Sequence, residues 1–261
     1  MTQRTEPARA TETVDRGGPR PRATVGLTVC ALALAAGAAA QFGFRGGNGY
    51  VLPNVEYDGR FTFARLRYAP NSAWNHDYPR GDQHLTRIVA EVTFAAANTD
   101  GSNVFRMDDP ELFRYPIAYM SEPGFWSMSD REAESLRTYL LKGGFLIFDD
   151  FEGRQWDNMA AQMQRVLPEG RWVKVDVPNV LFDSFFHMQS VNFPHPMYGY
   201  TPNYQVIYED NDPAKRVMVV ANHDNDVAEY WEWSDTGMLP MDLSNEAYKL
   251  GVNYVVYGLT H

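Results

Sequence analysis

Three stretches that read as β-strands end at once in acids or in an acid–histidine group. Val104–Met107 runs into Asp108 and Asp109, Phe145–Phe148 into Asp149 and Asp150, and Val217–Ala221 into Asn222, His223 and Asp224. A fourth apolar strand, Tyr115–Met120, is followed by Glu122 and then Trp126. Carboxylates gathered around one imidazole suit a hard divalent cation or an acid/base pair. Crowded carboxylates also raise one another's pKa, which suits a general acid. Asp108, Asp109, Asp149, Asp150 and His223 are therefore the candidates for catalysis or ligation, and a divalent cation is the one cofactor they suggest. Structural duties compete with this reading. An Asp after a strand is an ordinary N-cap or turn former; Asp150 suits the start of the next helix, and Asp109-Pro110 suits a turn.

Asn222–Trp233 is the densest polar-aromatic stretch. As a binding loop it offers Trp231 and Trp233 as platforms and Asn222, His223, Asp224 and Glu232 as polar contacts, with Glu122 and Trp126 beside it. The competing reading turns both Trp into the core and leaves the acids solvated. The spacing is not that of a calcium loop, which needs a Gly at its turn and a closing bidentate Glu. Trp74, His76 and Asp77 form a second, weaker group, and His195 lies among prolines.

These side chains need a scaffold that points several strands the same way. Phe145–Phe148 is too short for a helix and has no polar alternation, which fits a strand covered on both faces. The helix feeding it, 129–142, carries a Ser129/Glu132 capping-box pair, with Ala133, Leu136 and Leu140 on one face and Gly143 past its end. Phe61–Tyr68 reads as the first strand and Asn71–Arg80 as a loop. Asp82–Ala97 reads as an amphipathic helix with Leu85, Ile88, Val89 and Val92 on one stripe. A helix through Trp156, Met159, Met163 and Val166 ends at Pro168, and Trp172–Val177 alternates as a strand. Residues 178–203 read as an irregular excursion. Tyr204–Tyr208 and Arg216–Asn222 form a hairpin at one edge, His223–Trp233 is a loop, and a last helix runs from Leu243 to Leu259. Strands alternating with helices predict a three-layer α/β domain with a mostly parallel sheet. In such sheets ligands sit beyond the carboxyl ends of the strands.

The chain has 261 residues, 44% hydrophobic and 14% aromatic, enough for one packed domain and too few for two large ones. Its net charge is −10; without residues 1–40 it has 18 basic and 30 acidic residues, or −12. Such a body excludes nucleic acid or an anionic membrane surface as a general partner. Residues 1–22 are polar and Arg-rich, and Ala23–Ala40 is apolar and ends in small residues before Gln41. That is the pattern of a secretory signal cut after Ala40, with an uncleaved anchor as the alternative. The single cysteine, Cys30, falls within it. The organisation expected is a signal or anchor over 1–40, a flexible leader over 41–55 and one domain over 56–261. The protein would then be exported, periplasmic or extracellular, touching membrane only through 23–40. Gly-x-Ser-x-Gly, Walker A, Gly-x-Gly-x-x-Gly and His-Glu-x-x-His motifs are all missing.

Several runs carry a resemblance: Phe61-Thr-Phe-Ala-Arg-Leu-Arg-Tyr68, Asp77-Tyr-Pro-Arg80, Asp108-Asp-Pro-Glu-Leu-Phe-Arg-Tyr-Pro116, Glu122-Pro-Gly124, Leu136-Arg-Thr-Tyr-Leu140, Gly143-Gly-Phe-Leu-Ile-Phe-Asp-Asp-Phe151, Trp231-Glu-Trp233 and Gly251-Val-Asn-Tyr254. Over about 60 to 261 the chain resembles the bacterial "domain of unknown function 4159" family. That resemblance implies a flavodoxin-like, class I glutamine-amidotransferase-like fold and supplies no catalytic residues. Amidotransferase activity needs a cysteine nucleophile, which residues 41–261 lack. Two functions follow as expectations. One is a non-catalytic binding or scaffolding module whose polar groove takes a protein or glycan partner of the cell envelope. The other is a metal-assisted hydrolase using the strand-end carboxylates and His223.

Overall fold

The most apolar strand lies in the middle of the sheet, with neighbours on both sides. In the computed structural model, which describes residues 51–261 and the first two, β4 (Phe145–Phe151) is buried along its whole length. Around it are β1 (Phe61–Leu66), β2 (Ala97–Phe105), β3 (Ile117–Ser121), β5 (Val173–Lys174), β6 (Asn203–Tyr208) and β7 (Val217–His223). The order across the sheet is β2-β1-β3-β4-β7-β6-β5. The first five are mutually parallel and β6 and β5 are added antiparallel. The carboxyl ends of β1, β3, β4 and β7 thus emerge side by side on one rim.

Helices cover both faces. Against one pack α1 (Arg80–Val92), α4 (Val227–Glu232) and α5 (Met241–Thr260); against the other, α2 (Asp130–Leu141) and α3 (Gln155–Val166). Alternation along β4 decides which side chain goes where. Phe145 and Ile147 join Leu85, Val89, Leu250 and Tyr254, whereas Leu146 and Phe148 join Leu136, Leu140, Met159 and Met163. The capping box of α2 is complete: the Ser129 side chain accepts from the Glu132 amide, and Glu132 reaches back to the Ser129 amide.

Four elements differ from expectation. α1 stops at Val92 because Thr93 turns extended, and the following residues are already entering β2. β2 begins at Ala97, not Val104; its first half, Asn98–Ser102, is polar because this is the outer edge of the sheet. The strand expected over Trp172–Val177 shrinks to two residues. Residues 227–232 are a helix, not loop. Residues 51–55, read as leader, are tied to the domain: the Val55 amide donates to Asn103 Oδ1 (2.8 Å) and the Leu52 amide to the Tyr78 hydroxyl (3.0 Å). The signal or anchor over 1–40, Cys30 and the leader before Val51 lie outside the described residues, apart from the first two. Among the described residues no helix is long and apolar enough to cross a membrane.

Candidate functional site

The rim above β1, β3, β4 and β7 carries a knot of buried charge. It begins with a buried ion pair. Arg65 of β1 and Asp82 of α1 are fully enclosed, with Arg65 Nε donating to Asp82 Oδ2 at 3.1 Å and Nη2 to Oδ1 at 2.5 Å. The remaining nitrogen, Nη1, donates to the carbonyls of Trp74 (2.9 Å) and His76 (2.8 Å). The loop after β1 is thereby bent back over the sheet, and His76 and Asp77 are delivered to the rim.

The next strands add their own residues. Glu122 follows β3 and Asp150 is the last residue but one of β4, both in the left-handed backbone region (φ 50 and 58), as is Asp77 (φ 62). Non-glycine residues held there cost energy and concentrate at working sites. His76 Nδ1 lies 2.5 Å from Asp150 Oδ2, and the Ser121 hydroxyl donates to the same oxygen at 3.2 Å. Asp226 caps α4 by accepting from the Glu229 amide at 3.0 Å, and both acids face His76 and Asp77. His195 arrives from the 178–203 excursion, held there by the Tyr230 hydroxyl of α4 on the Pro194 carbonyl (2.7 Å).

The result is three overlapping ligand groups: His76, Asp77, Asp226 and Glu229; His76, Glu122 and Asp150; and Asp150, His195 and Asp226. Within each, one donor atom per residue lies within 4.8 Å of all the others. Asp77, at 4% exposure, has no hydrogen-bond partner on either carboxylate oxygen, and His195, at 3%, has none on Nε2. A buried polar atom left without a partner is costly, so these point to something the site is built to hold.

Electrostatics agree. Burial pushes Asp77 and Asp226 well above the usual carboxylate range. Burial also penalises Asp150, but the His76 charge and hydrogen bond overcome it and hold this carboxyl below its ordinary value. The Asp77 charge, helped by Asp150, lifts His76 to about 11 against burial. Hence His76 contributes stability in full below its unfolded value of 6.5, and that contribution is lost as pH rises toward 11.

The acids singled out in the sequence have separate fates. Asp150 joins the cluster, with Glu122. Asp149 points the other way and is fully buried, accepting from Tyr119 Oη (2.9 Å), Asn222 Nδ2 (3.0 Å) and the amides of Val227 (3.1 Å) and Ala228 (2.9 Å). Burial pushes it up to about 6 despite these bonds. It anchors the start of α4. Asp149→Ala strands four buried donors, so a loss of about 3 kcal/mol in denaturant unfolding is expected; a loss under about 1 kcal/mol would contradict this role.

Residues 62–259, which carry all of this machinery, match the family model described as "Domain of unknown function (DUF4159)". The chain belongs to that family. No curated protein matches it.

In this DUF4159 domain the acids after β2 stay outside the cluster. β2 lies on the same rim but two strands beyond β3, at roughly 4.8 Å per strand. There Asp108 pairs with Arg106 (3.1 Å) and Arg131 (3.2 Å), and Asp109 caps the turn Pro110–Arg114. His223 also turns aside: Nε2 sits 3.0 Å from the Gly153 carbonyl, and its ring packs on Phe151 and Trp156. Asp224 accepts from the Gly153 amide at 2.8 Å.

The expected binding platforms divide similarly. Trp126 and Trp231 are each 1% exposed, packed in the two cores, and Trp231 Nε1 donates to the Ala247 carbonyl at 3.0 Å. Neither can stack a ligand. Asn222 is buried, bridging Asp149 and the Tyr254 hydroxyl (2.8 Å). Glu232 stays partly exposed; burial, then Glu229, lifts it to about 6. Trp233 lies under the Arg80 guanidinium, 5.3 Å from ring centre to Cζ.

Sequence reasoning missed Asp226 and Glu229 as site residues and gave His76, Asp77 and His195 too little weight. A signal did exist for the first pair. Asp226 and Glu229 stand at capping-box spacing, which marks a helix start inside what was read as loop. No local signal marks His195, because contacts distant in sequence carry it to the rim, among them the Tyr230–Pro194 hydrogen bond and the packing of Phe193 on Tyr230.

Proposed function

We propose that this domain binds a hard divalent cation on the rim above β1, β3, β4 and β7 and uses it for hydrolysis. The observation that carries the reading is the Asp77 carboxylate, buried among four other acids with no hydrogen-bond partner on either oxygen and only the His76 Nδ1 near it, at 3.8 Å. Oxygen-rich, carboxylate-dominated donor sets suit magnesium, calcium or manganese. A bound cation would satisfy Asp77 and offset the mutual repulsion of the acids. It would also acidify a bound water, the usual source of a hydrolytic nucleophile where no Ser or Cys serves. His76, held by Asp150, could join the acids as a ligand once the cation displaces its proton.

The order of the five parallel strands, 2-1-3-4-5 when counted among themselves, supports a flavodoxin-like and amidotransferase-like assignment. The cluster falls near the switch point between β1 and β3, where such folds place ligands. The Arg-rich and then apolar pattern of residues 1–40 supports export to the cell envelope or beyond it. The binding-module alternative keeps one supporting fact, the absence of any nucleophile motif.

The deciding experiment is calorimetric titration of the purified chain with Mn²⁺. Saturable binding is expected, and Asp150→Asn weakens it by at least about tenfold, as expected for losing one anionic ligand. No saturable binding of Mn²⁺, Mg²⁺, Ca²⁺ or Zn²⁺ would overturn the cation reading. Binding without metal-dependent release of nitrophenol from simple nitrophenyl esters would favour the module.

A further inference from the structure

Beside the cluster, the 178–203 excursion ends in a tight turn. The Gly199 amide donates to the His195 carbonyl (2.9 Å) and the His195 amide to the Tyr200 carbonyl (3.0 Å), with Gly199 at φ +66, a conformation side chains disfavour. This turn packs three rings together at tilted and edge-on angles. His195 lies 4.7 Å from Tyr198 and 6.0 Å from Tyr200, and the tyrosines lie 5.6 Å apart. The tyrosines are 56% and 47% exposed, whereas His195 is enclosed. One end of this ring group therefore meets solvent and the other the acidic cluster. The Met197 amide donates to His195 Nδ1 at 3.2 Å, so in the neutral ring the hydrogen sits on Nε2, the buried and unpartnered nitrogen.

Charge restricts what such a surface can hold. Five carboxylates meet here: Asp77, Glu122, Asp150, Asp226 and Glu229. Among the described residues, the cations nearest the cluster are engaged: His76 with Asp150, Arg65 with Asp82, and Arg80 with Asp235. Once a bound divalent cation has displaced the protons of Asp77 and Asp226, five carboxylates outweigh that cation and a protonated His76, so the cluster stays negative. A phosphate or carboxylate ligand would be repelled. A neutral, hydroxyl-rich molecule would not be: its hydroxyls donate to carboxylates and accept from the His195 Nε2–H. The apolar C–H face of a sugar ring also suits the electron-rich face of a tyrosine.

We propose that the 195–200 turn is the saccharide-binding arm of this site, seating a neutral glycan on Tyr198 and Tyr200 with one end at the cation. The proposal rests on the cation reading but is tested apart from it. Affinity electrophoresis of the whole chain through gels holding hydroxyethyl cellulose, xyloglucan or glycol chitin should show retardation in at least one, and none in polygalacturonate. Tyr198→Ala/Tyr200→Ala should weaken retention by at least about tenfold, the loss typical of an aromatic anchor. The double Phe variant should keep it, and the Mn²⁺ isotherm should be unchanged in both. Mobility unaltered by every neutral polymer, retention by the polyanion, or full retention in the double Ala variant would overturn the arm. Failure of the cation reading shows separately, as a wild-type chain without a Mn²⁺ isotherm.

Discussion

Asp82→Ala loses about 3–5 kcal/mol of stability in denaturant unfolding, because it leaves the enclosed Arg65 guanidinium without its counter-charge. The cost comes mainly from the charge left behind, not from the attraction lost. A paired variant separates the two. Arg65→Met/Asp82→Leu removes both charges at similar volume, so most of the stability returns. The site does not return with it. Arg65 Nη1 is what grips the Trp74 and His76 carbonyls. Without it the loop after β1 is released, and His76 and Asp77 no longer converge on Asp150. The expected pattern is a double variant that melts close to wild type yet binds Mn²⁺ much more weakly. A loss below about 1 kcal/mol in Asp82→Ala would remove the ion pair from the account. Wild-type Mn²⁺ affinity in the double variant would show that the loop is positioned by other contacts.

Much of this architecture was legible along the chain, for a physical reason. A strand buried on both faces must be apolar at consecutive positions, so Phe145–Phe148 announced the centre of the sheet. The capping box at Ser129 announced α2 because its two hydrogen bonds are local in sequence. What stayed hidden was set by distant partners. Asp149 and Asp150 are neighbours of the same type, yet the pleat sends them in opposite directions. One becomes the anchor of α4 and the other a cluster acid, depending on which is met by the Val227 amide and which by His76. The positive φ of Asp150 is a conformation that Asp tolerates but does not require, so residue type alone did not announce it. His223 was favoured over His76 because it follows a strand directly. His76 reaches the rim through a loop whose shape depends on Arg65, eleven residues earlier.

Asp77→Asn raises the melting temperature of the cation-free protein and abolishes its response to cation. The buried carboxylate has no hydrogen-bond partner, and Asn tolerates the left-handed backbone at φ 62 as well as Asp does. Its amide can donate to the surrounding acids, a gain of about 1 kcal/mol, or roughly 2–4 °C for a domain of this size. With Mn²⁺ at a hundred times its dissociation constant, the wild type gains roughly 2.7 kcal/mol, and the variant, lacking a charged ligand, gains little. The order of stability therefore inverts on adding cation. The pH dependence has a definite sign as well. Asp77 keeps its proton in the folded state above the unfolded value of 3.8, so the wild type loses stability as pH rises out of the ordinary carboxylate range. Asn cannot titrate, so the variant loses less over that interval. Thermal unfolding of both proteins from pH 4 to 8, with and without Mn²⁺, checks all three. An Asp77→Asn protein that melts below wild type without cation, and still gains the full Mn²⁺ shift, would make Asp77 an ordinary structural acid and take away the central ligand of the site.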